Sequence, residues 1–311
     1  MPVIDRHRLR QRLYGLVFPW PADDAVTQPL HLRVLRPEDL PFADSLCAIA
    51  GWNQTLGDWR RFLEMEPEGC FLAEWNGSPA GTATTLRYAS DVAWVGMVLV
   101  HPEHRRRGIG RALLIHCIAW LQARRMRCIK LDATPAGKQV YDILGFKSEW
   151  MLVRWEHAGL QVAKPADARV RPWRASDLRV IAPLDTSAFG VSREKLVEAL
   201  ASQSRFALVL ETVRGRVAGY GFMRPGSRAT YLGPIAAASD EVGLQLVEAL
   251  LTNITGERVF WDIPDANTAA GDWARQHGFT QQRMLTRMHL GENTGPGNPR
   301  QQFALAGPEV G

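Results

Sequence analysis

The run Val98-Leu99-Val100-His101-Pro102-Glu103-His104-Arg105-Arg106-Arg107-Gly108-Ile109-Gly110-Arg111-Ala112-Leu113-Leu114 decides how this chain is read. An apolar strand enters a basic, glycine-bearing loop. The loop opens an amphipathic helix over 112–123, with Leu113, Leu114, Cys117, Ile118 and Leu121 at helical spacing. The first N–H groups of a helix have no intrahelical acceptor, and the helix dipole puts partial positive charge there. Such a loop is therefore an anion site, well suited to a pyrophosphate. Gly108 and Gly110 bring no Cβ between a ligand and the backbone, and the arginines add charge-assisted bonds to phosphate. The same loop in isolation also describes a solvated turn, so the residues downstream have to decide.

A second apolar strand, Cys128-Ile129-Lys130-Leu131-Asp132-Ala133, follows one helix later. After it comes Thr134-Pro135-Ala136-Gly137-Lys138-Gln139-Val140-Tyr141-Asp142-Ile143-Leu144-Gly145-Phe146. Together these segments resemble the GCN5-related N-acetyltransferases. That family carries Arg/Gln-x-x-Gly-x-Gly/Ala after a strand and a Tyr four residues before a Gly-Phe pair on a later helix. Arg105-x-x-Gly108-x-Gly110 and Tyr141…Gly145-Phe146 both match. The resemblance is best over 31–157.

The resemblance implies acetyl transfer from acetyl-CoA to an amine, with a small-molecule acceptor expected. It implies that the pantetheine arm pairs with the backbone of Val98, Leu99 and Val100. The pyrophosphate would lie on the loop formed by Arg105, Arg106, Arg107, Gly108, Ile109, Gly110 and Arg111. Thr134 stands where many members have Asn, seven residues before the Tyr. Tyr141 is the expected general acid, because a positioned phenol can protonate the departing thiolate. Many members place a Glu on the strand before the loop, but Trp94 to Val100 carries no acid. Glu74, Asp91, His101 and Asp58, or a water relay, stay open as the base. Trp52 and Trp59 fall on the family's variable acceptor side and are expected to line a pocket.

The second half repeats the first. Leu40/Leu178 and Gly81/Gly219 are both 138 positions apart, and Gly278-Phe279 echoes Gly145-Phe146. The repeat lacks the basic glycine loop, since Tyr231-Leu232-Gly233-Pro234-Ile235-Ala236-Ala237 leads almost directly into a helix. Ala274 stands at the position of Tyr141, although Asn267 is present upstream. The expected fold is α/β, with two such domains in tandem, each a mixed, mostly antiparallel sheet flanked by helices. The expected divisions are an N-terminal extension (1–30), a cofactor-binding domain (31–157), a linker (158–167), a degenerate domain (168–291) and a docked tail (292–311). Asp185, Arg193, Asp262 and Asp265 are candidates for a shared cleft, where ligand sites are favoured.

Composition narrows the function classes. Hydrophobic residues make up 46% of 311 and supply real cores. The net charge is +5, but acids are interspersed and no long basic run appears, so no nucleic-acid partner is expected. Cys47, Cys70, Cys117 and Cys128 are widely spaced, without C-x-x-C, so neither a metal nor a disulfide framework is expected. Reduced thiols and an N-terminus without a signal-peptide core point to the cytoplasm. No apolar run is long enough for a membrane span. Internal pseudo-symmetry is compatible with a monomer and leaves an oligomer open. An acyl-CoA sensor or an interaction scaffold remains the alternative at this stage.

Overall fold

The turn that opens each half is built from the same three charged residues. In the first, Arg33 Nη1 lies 2.7 Å from Asp39 Oδ2 and Arg33 Nε donates to Glu74 Oε1 at 2.7 Å. In the second, Arg171 makes the same pair of contacts with Asp177 and Glu211, at 2.8 and 2.6 Å. The duplication read from spacing is thus repeated atom for atom. These observations come from a computed structural model that describes residues 29–89, 91–159 and 169–311. The expected N-terminal extension and linker fall almost wholly outside the described residues.

The first half runs β1 (Leu30–Val34), α1 (Leu40–Ala50), α2 (Leu56–Met65), β2 (Cys70–Trp75), β3 (Ser78–Arg87), β4 (Val92–Val100), α3 (Ile109–Ala123), β5 (Cys128–Ala133), α4 (Pro135–Ile143) and β6 (Lys147–His157). The second runs β7 (Val170–Pro172), α5 (Leu178–Phe189), α6 (Glu194–Gln203), β8 (Phe206–Glu211), β9 (Val217–Arg224), β10 (Thr230–Ala237), α7 (Asp240–Leu251), β11 (Val259–Pro264), α8 (Thr268–Gln276), β12 (Thr280–Gly291) and β13 (Gln302–Ala304). Asn76 and Gly77 take φ of 51° and 79°, the pair of left-handed residues that a tight hairpin requires. On α3, Leu113, Leu114, Cys117 and Leu121 are fully buried against the sheet. The four cysteines are free and buried, and burial pushes the Cys47 and Cys70 thiols up to about 12.

All the described strands join one sheet, in the order β1-β2-β3-β4-β5-β12-β6-β11-β10-β9-β8-β7, with β13 added on β10. Each half gives its last long strand to the other. β12 pairs antiparallel with β5 of the first half, and β6 pairs antiparallel with β11 of the second. The exchanged strands also pair with each other across the centre, where Leu152 faces Leu285. This is the self-complementary pairing of a two-fold dimer made within one chain. Two buried ion pairs pin the exchange at matching places. Arg287 Nε and Nη2 reach the carboxylate oxygens of Asp132, both at 2.9 Å, and Arg154 reaches Asp262 at 2.7 and 2.5 Å.

Candidate acyl-transfer site

β4 and β5 run parallel but pair only from Val92–Trp94 to Cys128–Lys130. Beyond Trp94 the two strands diverge, and their carboxyl ends open a cavity of about 240 Å³. Clefts of this kind are where α/β sheets hold ligands. Val98 and Val100 line it, with their side chains half-buried. Leu99 points the opposite way, into the core shared with α1 and α2, as strand alternation requires. Leu99 itself is not among the residues that line the cavity.

The edge is also interrupted. Thr82 faces Leu99 while Thr84 faces Gly96, so β4 carries one more residue than β3. Met97, inside this bulge, has φ of 52°, a left-handed value rare for a side chain of its kind. The bulge takes local backbone out of the ladder beside the cavity. Nothing in the sequence announces it, because the strained position holds Met rather than Gly.

The loop after β4 folds as an anion nest. Arg106 and Gly108 both have positive φ, 63° and 78°, and Gly108 is the N-cap of α3. Ala112 is the first residue to bond within the helix, to Gly108 O at 2.9 Å. The N–H groups of Ile109, Gly110 and Arg111 therefore open the helix without helical acceptors. A Cβ on Gly108 would meet nothing within 4 Å, and one on Gly110 would touch only Val100 Cγ2, at 3.5 Å. The loop backbone is open to a ligand on that side. Arg105, Arg106, Arg107 and Arg111 are exposed. Arg105 Nε also donates to Val100 O, and Arg107 lies over the Trp75 ring. Gly110 and Arg111 line the cavity.

Thr134 and Tyr141 lie on the opposite wall. Thr134 caps α4, its hydroxyl accepting from Gly137 N–H at 3.1 Å. Gly137 makes room for the phenol, since a Cβ there would stand 3.1 Å from Tyr141 Cε2. Burial pushes the Tyr141 hydroxyl up to about 12. It therefore keeps its proton at neutral pH and has that proton to donate.

The remaining expectations separate. Trp52 lines the cavity, whereas Trp59 is fully buried in the core formed with α1 and β2. The amphipathic spacing of α2 turns Trp59 inward with Phe62. None of the four acids and bases named from sequence lines the cavity. Glu74 is held by Arg33 and His31, Asp91 by Thr294 and Arg127, and Asp58 by Arg61 and the Thr55 backbone. His101 ends β4 beside Phe42 and His104. Asp185 and Arg193 form a buried pair at 3.0 Å, closed by the Tyr220 hydroxyl, and Asp262 is committed to Arg154 and Tyr231. Asp265 lies exposed at a separate hollow beside α8. These four second-half residues therefore do not meet in a shared cleft.

What the second half does contribute is Arg283 and Leu285 from β12, and Pro308 and Glu309 from the tail. The tail reaches this cleft because its backbone is anchored to β4 side chains. Trp94 Nε1 donates to Pro308 O at 3.0 Å, and Gly96 leaves space where a Cβ would lie 2.4 Å from Glu309 O. Glu309 is only 5% exposed and has no ion-pair partner within bonding distance among the described residues; Gln54 Nε2 donates to its Oε2 at 2.7 Å. Burial raises the Glu309 carboxyl above the usual range, opposed by Arg224 and reinforced by Asp58. Among the described residues no cluster of His, Cys, Asp and Glu is arranged to hold a metal, and no helix is long and apolar enough to cross a membrane.

Comparison with known proteins agrees with this geometry. Residues 40–146 match the model of the acetyltransferase (GNAT) family, and residues 181–304 match that of an acetyltransferase (GNAT) domain. An uncharacterized N-acetyltransferase of Bacillus subtilis, YitH, is 29% identical over 75% of this chain and 82% of its own. A holothin acyltransferase of Pseudoalteromonas is 24% identical over 84% of this chain and 87% of its own. In fold, the chain is similar to a Pyrococcus horikoshii protein provisionally assigned as an acetyltransferase. That comparison has a TM-score of 0.80 and 22% identity, covering 94% of this chain and 99% of the other.

Proposed function

Because this chain belongs to the GCN5-related N-acetyltransferase family and carries two of its domains in tandem, we propose that it is an acyltransferase whose first half alone transfers an acetyl group from acetyl-CoA to the amine of a small acceptor. The open loop at Arg105–Arg111 and the bulged edge of β4 fit a ligand with a pyrophosphate at one end and an amide-bearing arm. Bound there, acetyl-CoA supplies the acetyl group as an activated thioester.

The chain's own residues do the rest. The loop amides and arginines fix the pyrophosphate, and the backbone of Val98, Leu99 and Val100 orients the arm. Holding the two reactants side by side is itself a large part of the rate. Glu309, which the sequence reading overlooked, accepts the proton of the acceptor amine. Its raised pKa brings a carboxylate closer to the working range of a general base. Tyr141 Oη keeps its proton at neutral pH and delivers it to the departing sulfur.

The observation that carries this reading is that Tyr141, Glu309 and the loop end of α3 line one cavity. It is tested by thiol release from acetyl-CoA with a panel of primary amines. Tyr141→Phe is expected to lower kcat by about 10² with CoA affinity retained. An unchanged kcat would remove Tyr141 from the chemistry.

A further inference from the structure

Two arginines line the cavity without a partner among the described residues: Arg111, exposed at the loop end, and Arg283, half-buried on the opposite strand. Arg283 on β12 lines it, yet forms no hydrogen bond or ion pair among the described residues, and its Nε is buried without an acceptor. Every other arginine on the exchanged strands is satisfied. Arg154 is bidentate to Asp262, and Arg287 is bidentate to Asp132. The difference has a local cause. A register shift between Gln281 and Arg283 sets Arg283 opposite Arg154 on β6. Arg283 and Arg154 thus stand opposite each other; Arg154 already takes both oxygens of Asp262, and Glu309, in the same cavity, makes no ion pair with Arg283. Burial and the Arg154 charge pull the Arg283 pKa down to about 10, so the group is still a cation at neutral pH.

Arg283 is half-buried, with its Nε enclosed and lacking an acceptor; an enclosed donor without an acceptor is costly, and a ligand that supplies the missing anion recovers that cost. Its planar fork matches a carboxylate. On this wall the single charge of Arg283, away from Arg111 at the loop end, balances one negative charge. A phosphate dianion would overcompensate it in a cavity that also holds Glu309 and Asp132. Trp52 and Leu285 give the same space apolar walls. We propose that the acceptor is a small amine that also carries a carboxylate, which docks on Arg283 while the amine faces Glu309. The proposal rests on the acyl-transfer reading of this cavity and adds the class of molecule it accepts.

The test uses the full chain saturated with CoA and follows arginine Nε–H signals by NMR, with butyrate, benzoate and 3-phenylpropionate against their primary amides. The Arg283 signal is identified by its loss in Arg283→Gln. A saturable shift is expected with at least one carboxylate, at about tenfold lower concentration than its amide. Arg283→Gln should erase that preference, and Arg283→Lys should retain part of it. The same bias is expected in turnover: phenylalanine above phenethylamine, and 4-aminobutyrate above butylamine. Equal binding of acids and amides, or no shift with any carboxylate, overturns the proposal while acetyl transfer stands. Backbone signals of Gly108 to Arg111 that ignore CoA overturn the acyl-transfer reading itself.

Discussion

The two halves contain the same cleft, and only one of them is open. In the second half β10 and β11 pair in parallel only from Thr230–Leu232 to Val259–Trp261, then diverge as β4 and β5 do. β10 carries a bulge between Leu232 and Ile235, the counterpart of the one at Met97. There the likeness stops, because the chain's own tail fills the space. β13 pairs with β10, with Ile235 opposite Ala304. Trp261 Nε1 donates to Phe303 O at 2.7 Å, and Asn267 Nδ2 donates to the carbonyls of Arg300 and Gln302. The Phe303 ring lies on Gly243, where a Cβ would stand 2.4 Å away. A strand of peptide thus occupies the edge that the first half leaves open.

The helix that follows has changed to match. The N-terminus of α3 is reached through three arginines and Gly108, with Arg111 in its first turn, whereas α7 has Asp240 and Glu241 in its first turn, capped by Ser239. Carboxylates now satisfy the helix dipole that would otherwise attract phosphate. The scaffold survives because the plug restores the buried area that an empty cleft would lose. From there the tail continues into the first half and delivers Glu309. The degenerate half therefore completes the open one, with a strand, a tail and two charged side chains.

This comparison can be broken in several places. The largest effect is expected from Phe303→Ala, which empties the plugged cleft and should cost about 3–5 kcal/mol, seen as a lower denaturation midpoint. A loss near zero would mean that the plug is ornamental. Next comes Glu309→Gln, expected to lower kcat/KM by about 10²–10³. Glu309 must be ionised to accept a proton, so the rate of the wild type rises with pH through a carboxyl pKa above the usual Glu range. That limb should vanish in the variant. Stability should move the opposite way. A carboxyl raised in the folded state contributes stability below its unfolded pKa and loses it as pH rises through the folded one. Glu309→Gln should therefore gain on the wild type towards neutral pH. A persistent acidic limb would pass the role to another group.

Smaller effects sharpen the contrast. Gly110→Val fits beside Val100 in the folded chain but crowds the loop backbone, and CoA affinity should fall by about tenfold to hundredfold with Tm nearly unchanged. Arg111→Ala removes one exposed charge-assisted contact and should cost about fivefold in CoA affinity, a difference that shrinks in high salt. If Arg111→Ala proves the more damaging of the two, side-chain charge rather than backbone geometry holds the phosphate.

Much of the open cleft was legible because its signals are local. Two closely spaced glycines, a strand before them and a Tyr at fixed spacing sit within one stretch. The duplication was legible because Arg33-to-Leu40 and Arg171-to-Leu178 keep their spacing. What could not be read depends on distant pairing. Nothing in β6 or β12 says that each belongs beside the other half's sheet, since both alternate as ordinary strands do. Arg154 and Arg287 were the available hint, charged residues in apolar strands that demand buried partners elsewhere. Trp59, like Trp52, fell on the family's variable acceptor side, but the helical phase of α2 sends it inward. Glu309 stood in an apolar tail, where a lone acid is worth questioning. Its place in the cavity was hidden because the fold carries it across the whole second half to reach Gln54.

The central claim is one open and one plugged cleft, and calorimetric titration of the full chain with acetyl-CoA and with CoA tests it most directly. The account predicts one site per chain, abolished or weakened by Gly110→Val and untouched by substitutions on the exposed face of α7. Two sites per chain, or none, would contradict it.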